Sequence, residues 1–141
     1  MTLISGDTVK SAVCRKLKAE FPAYEVYKDK PVQNAVKPYF FVEQVSLSQR
    51  KVRRDTWERI VLLDIRYHTG ENTRSVLDQM GGELCELLSA LKIESGIYRG
   101  SGQRTEIVDG VLHAFAAYTI HGHLGETTPY LSGLSYSEGV K

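Results

Sequence analysis

Apolar and polar side chains alternate from Trp57 to Thr69, WERIVLLDIRYHT, as they do in a strand, yet the middle of the stretch is apolar on both sides. Trp57, Val61, Leu63, Ile65 and Tyr67 fall on one face of an extended chain, and Glu58, Ile60, Leu62, Asp64, Arg66 and His68 on the other. The first face is core. The second mixes charges with Ile60 and Leu62 and calls for partial cover, which a partner subunit can supply.

The flanking patterns build a domain around this strand. Val9, Ala12, Val13, Leu17 and Phe21 recur at helical spacing, with Ser5 or Asp7 placed to cap the free amides and Pro22 to stop the helix. Tyr24 to Lys28 alternates enough for a short strand, and KPVQNAVKP, with a proline near each end, reads as a loop. Tyr39 to Leu47 has the aromatic and branched residues of a half-buried strand and is expected to pair with Trp57 to Thr69. Between them, Ser48 to Thr56 is too long and too charged for a two-residue turn, which predicts a projecting loop. Val76, Leu77, Met80, Leu84, Leu87, Leu88 and Leu91 mark an amphipathic helix capped by Asn72 or Thr73. Gly81 and Gly82 interrupt it, and close packing against the sheet is the expected reason.

Asp109-Gly110 then divides two strand-like runs, a strong hairpin signal because both turn residues need positive φ. Leu112, Ala114, Ala116, Tyr118 and Ile120 should meet the helices, while Phe115 and Ala117 repeat on the opposite face the apolar patch of Ile60 and Leu62. The sum is an α+β fold: a mainly antiparallel four- to five-stranded sheet with two helices packed on one face. Residues 1–125 form the single domain. Residues 126–141, rich in serine and broken by Pro129, Gly133 and Gly139, read as an extended or flexible arm with Tyr130, Leu131, Leu134 and Tyr136 as anchors on a neighbour.

Composition changes this picture little. The chain's 141 residues suit one domain, and 18 Lys and Arg against 17 Asp and Glu argue against a general electrostatic pull toward nucleic acid or membrane. Cys14 and Cys85 lie in separate helical segments and read as reduced, near-core residues of a cytosolic chain. No basic segment leads into an apolar run at the N-terminus, so neither export nor membrane insertion is expected.

Candidate chemistry is sparse. His121 and His123 flank a glycine and share a strand face with His113, but a third metal ligand is not evident, and a solvated row is the better reading. There is no nucleophile elbow or phosphate loop, and Asp64, Glu83, Glu86 and Glu106 read as exposed charges. No catalytic residue, metal or cofactor is assigned. The one real charge cluster is Arg50, Lys51, Arg53 and Arg54. Three readings stand for it: a solvated loop tip, a contact to another subunit, or sequence-independent contact to phosphates.

Taken together, the helix ending in AEFPAYEVYKD, the strands PYFFVEQVSLSQR and WERIVLLDIRYHT, the helix LDQMGGELCELLSAL and the closing IYRGSGQRTEIVDGVLHAFAAYTIHG resemble the phage tail terminator family. These are small tail-completion proteins of phages, prophages and phage-tail-like particles of Gram-positive bacteria. The resemblance covers the chain to about His123, and IVDGVLHAFAAYTIH is its most characteristic piece. It implies a structural protein, not an enzyme: a ring, typically a hexamer, that caps the head-proximal end of the tail tube, stops polymerisation and offers a docking surface to the head connector. Partners would be other copies of itself, the tube protein, the sheath and connector, with DNA only in passage and no membrane. Its place would be the tail of the virion or tail-like particle, after assembly in the bacterial cytoplasm. Ile60, Leu62, Phe115, Ala117, Tyr130, Leu131 and Leu134 are then the candidate subunit or tube interface. A head-to-tail joining protein of the same fold, or a nucleic-acid-binding module using the basic loop, are the alternatives.

Overall fold

The computed structural model describes residues 4–123. The expected arm, anchored by Tyr130, Leu131, Leu134 and Tyr136, lies outside these residues. Helix α1 spans Gly6–Glu20, and Ser5 caps it by accepting from the backbone N–H of Thr8. Its Val9, Ala12, Val13 and Leu17 are buried, so the helical spacing does become a core stripe. Burial pushes the Cys14 thiol pKa up, and both cysteines are free and half-buried.

Three strands follow: β1 (Glu25–Tyr27), β2 (Tyr39–Lys51) and β3 (Thr56–His68). Helix α2 (Arg74–Leu87) is capped by the Thr73 side chain, which accepts from the Val76 N–H. Then come β4 (Ala90–Ile93), β5 (Gly96–Val108) and β6 (Val111–His123). The strands form one sheet in the order β1-β2-β3-β6-β5-β4. All described pairings are antiparallel except β1 with β2. The α+β class stands, but the sheet has six strands and is mixed, in place of four or five antiparallel ones.

Two differences have local causes. Leu91 continues the helical spacing of Leu84 and Leu88, but the Ser89 hydroxyl donates to the carbonyl of Glu86 at 2.7 Å and the helix closes there. Beyond it Leu91 and Ile93, two residues apart, are buried from β4. The charged connection Ser48 to Thr56 is not a free loop either. Ser48 to Lys51 pair with Ile60 to Trp57, so β2 and β3 extend as a hairpin and only residues 52–55 turn.

Both helices pack on one face of the sheet, over Phe40, Val42, Val61, Leu63, Ile65 and the inward row of β6 from Leu112 to Ile120. The two α2 glycines part company. A Cβ on Gly81 would press on Thr105 Cγ2 at 3.2 Å, as close packing requires, whereas Gly82 is exposed with nothing within 4 Å. Asp109 and Gly110 take φ of 50° and 76°, the paired positive values that the Asp-Gly signal calls for. Gly100 lies against Leu88, whose carbonyl also accepts the Tyr118 hydroxyl at 2.7 Å. That hydroxyl is buried, and burial pushes its pKa well above the ordinary range.

The glycines therefore predict opposite outcomes. Gly82→Ala should stabilise the protein by roughly 0.5–1 kcal/mol, since an exposed helical glycine only adds backbone freedom to the unfolded chain. Gly100→Ala should destabilise by about 1–3 kcal/mol, because its Cβ would overlap the Leu88 carbonyl. Urea unfolding of both variants checks the pair; equal signs would contradict the packing described.

Candidate assembly surface

The face of the sheet away from the helices is built by alternation. In the β3–β6 ladder Ile60 stands opposite Thr119, Leu62 opposite Ala117, Asp64 opposite Phe115 and Arg66 opposite His113. Ile60, Leu62, Phe115 and Ala117 are thus brought into one patch, as their phase along each strand predicts. All four are half-buried, and no described helix lies over them.

Part of their cover comes from charged side chains on the same face. The Arg104 guanidinium sits 4.2 Å above the Phe115 ring centroid while its Nη1 donates to Glu106 Oε2 at 2.7 Å. The His113 ring lies nearly parallel to that of Phe115, centroids 6.2 Å apart. Arg66 lies 5.4 Å from the Phe41 ring centroid. Planar cations laid on aromatic faces shield apolar area without closing it off from a partner.

Asp64 overturns the reading of exposed charges. Its relative exposure is 4 %, on a face that carries no helix. Arg66 Nε donates to Asp64 Oδ2 at 3.1 Å, and His113 Nδ1 lies 3.0 and 3.2 Å from the two carboxylate oxygens. Arg66 also bonds Glu43 on β2. A carboxylate can be buried here because both oxygens are engaged. The sequence signal was present in Asp64 and Arg66, two apart on one strand face, but the third partner, His113, came from a strand 49 residues away.

A second ionic group closes the hairpin end. Arg50 Nε donates to Glu58 Oε1 at 2.7 Å, and His121 Nε2 lies 3.2 Å from Glu58 Oε2. The bond from Arg50, helped by His121, holds the Glu58 carboxyl below its usual pKa against a smaller opposing effect of burial. Two of the histidines in the predicted row therefore anchor carboxylates. Among the described residues no three His, Cys, Asp or Glu side chains are arranged to hold a metal ion.

The basic cluster is divided by the same alternation. Arg50 and Lys51 are strand neighbours and point to opposite faces, Arg50 toward Glu58, while Arg53 and Arg54 occupy the exposed turn. The GSG stretch is structural: Gly102, at φ 64°, lies within the irregular register between Ser101 and Arg104.

The described residues thus make a small α+β subunit with a two-sided sheet and a polar, ion-paired outer face. A family model described as phage tail terminator protein matches residues 8–129, and the chain belongs to that family. Its role is therefore that of a structural, tail-completion component of the virion tail. The match runs past Gly125 into the C-terminal segment. No curated protein matches the sequence. One solved structure aligns over 84% of this chain and 95% of its own at 18% identity and a TM-score of 0.40, too distant a likeness to carry an argument. No helix among the described residues is long and apolar enough to cross a membrane.

The face predicts a pH response. Burial holds the His68 imidazole, which stacks on Tyr39 at 4.6 Å, below its ordinary pKa of 6.5, aided by the cations Lys37 and Arg66. The unfolded chain then binds the proton more readily, so stability should fall as pH drops below about 6.5. Glu58, with its lowered carboxyl pKa, adds a second loss as pH falls through its ordinary 4.5 and below. His68→Phe, which keeps a ring on Tyr39, should flatten the first limb and leave the second. Urea midpoints measured across this range check it; an unchanged profile in the variant would contradict the assignment.

Proposed function

We propose that the protein ends the tail by forming a closed ring, a homohexamer, on the head-proximal end of the tube, where it stops tube polymerisation and presents a docking surface to the head connector. The observation that carries this reading is the family match over residues 8–129. The geometry supports it in physical terms. A ring of identical subunits joined head to tail needs two different patches on each subunit. The outer sheet face, with half-buried Ile60, Leu62 and Ala117 beside a Phe115 flanked by Arg104 and His113, suits a polar yet desolvating contact with a neighbouring subunit or the tube. The tail-like particles of prophages are as suitable a setting as free phages, and the sheath is a further partner where the tail contracts.

The turn residues Arg53 and Arg54 are exposed at the hairpin tip, where they serve a neighbour, the tube or passing DNA. With Arg50 engaged by Glu58 and Lys51 on the other face, contact to phosphate would be weak and transient, as DNA transit requires.

Removing the gene from the parent particle should give tails of abnormal length; tails of normal length would overturn the proposal. At the residue level, Leu62→Glu and Phe115→Glu should abolish attachment to tails while changing unfolding free energy by no more than about 1 kcal/mol. Co-sedimentation with tails and urea unfolding on the same samples separate the two effects. Variants that unfold outright, from a native protein that never assembles, would make this face ordinary core.

A further inference from the structure

Among the described residues the sheet is incomplete at both sides, and the two gaps match. At one side β1 pairs only with Tyr39–Phe41, leaving the rest of β2 without a described strand on its outer edge. At the other side β4 pairs only with Gly96–Arg99, and the Gly100 N–H donates to the Ser89 carbonyl at 2.9 Å, leaving β5 without a described strand beyond it. A register shift breaks each open edge, between Gln44 and Ser46 in β2 and between Ser101 and Arg104 in β5. The regular stretches that remain are Ser46 to Lys51 and Arg104 to Val108, each close to the usual length of a paired strand. Exposed Val45, Leu47, Val52 and Val108 lie on or beside these stretches.

Unpaired strand edges of this kind carry a row of free backbone donors and acceptors, and a protein must cover them or blunt them. From these two edges we infer that the open stretch of β2 on one copy pairs with the open stretch of β5 on the next, so that one antiparallel sheet runs from subunit to subunit. The occupant is a second copy of this chain, because the strand count permits it. Along β2-β3-β6-β5 the strands alternate in direction, so β5 runs opposite to β2, and a head-to-tail repeat places them antiparallel at the joint. The two edges differ, as a heterologous joint requires.

The open stretches sit at opposite ends of the sheet. Ser46 to Lys51 are level, through β3, with Ala117 to Gly122 of β6, whereas Arg104 to Val108 are level with Phe115 to Val111. Their centres differ by about six residues, roughly 20 Å at ~3.4 Å per residue, across four strand spacings of ~4.8 Å, or roughly 19 Å. Copies joined this way are therefore staggered, with strands tilted roughly 45° to the ring axis, close to the tilt that lets a sheet close on itself. β1 and β4 then act as stops that fix the stagger: each fills the half of an edge the neighbour must not use. Edge pairing leaves the outer face with Leu62 and Phe115 free for a different partner.

This inference rests on the ring proposed above, and its test separates the two. Amide hydrogen exchange is followed by mass spectrometry on the full chain, once as dilute protomer and once assembled on tails of the parent particle. Exchange of the edge-facing amides in both 46–51 and 104–108, those not bonded to β3 or β6, should slow by about tenfold or more on assembly, having been fast in the protomer. A ring that forms with either segment still fast would overturn the edge joint and leave the ring reading intact. Protection of those edge-facing amides already present in the protomer would also overturn it, since the chain would then be covering its own edge. Failure to assemble on tails at all would overturn both.

Discussion

Everything in this subunit hangs on a ladder of twelve residue pairs between β3 and β6, which must be dry on one side and ionic on the other. On the helix side it buries Val61, Leu63 and Ile65 against Ala114, Ala116 and Tyr118, and both helices find their apolar stripes filled there. On the far side the same backbone holds Asp64 at a few per cent exposure, which is tolerable only because Arg66 and His113 reach it from β3 and β6. A one-residue slip would put the carboxylate into the core and Leu63 into the ionic network, so the pattern enforces a single register. β2 is ordered by the same network through Glu43, and the hairpin end by Glu58 with Arg50 and His121.

Much of this was legible in the residues because alternation and helical spacing are local properties. The α1 stripe, the Ser5 and Thr73 caps, the strong strands and the Asp109-Gly110 turn all depend on neighbours within a few positions. The grouping of Ile60, Leu62, Phe115 and Ala117 also followed from phase alone. What was missed depends on distance. Leu91 satisfied a helical and an extended spacing equally, and the Ser89–Glu86 closure chose between them. The parallel partner of β1 and the extension of the charged hairpin are set by pairing that local composition does not encode. The burial of Asp64 needed a histidine from the far end of the sequence.

The same two-sidedness links structure to role. On the proposed role, the subunit has to stay apart from its copies and yet commit to a defined neighbour once a tail is present. The arginines lying over Phe115 and Phe41 keep the outer face hydrated, and bulges interrupt both open strand edges, which limits random pairing. Such cover is cheap to displace by a partner that supplies matching shape and backbone groups, and costly for anything else. On this face Arg50, Arg66, His113 and His121 are tied to carboxylates, and the glycine-rich stretch shapes a strand.

On the proposed function, this protein occupies one end of a tail. Gold-labelled antibody against the protein, applied to intact purified tails and viewed by negative-stain electron microscopy, tests it most directly. The account predicts label at a single end of each tail, the end that joins the head. Label spread along the tube, at the opposite end, or absent from intact tails would contradict it.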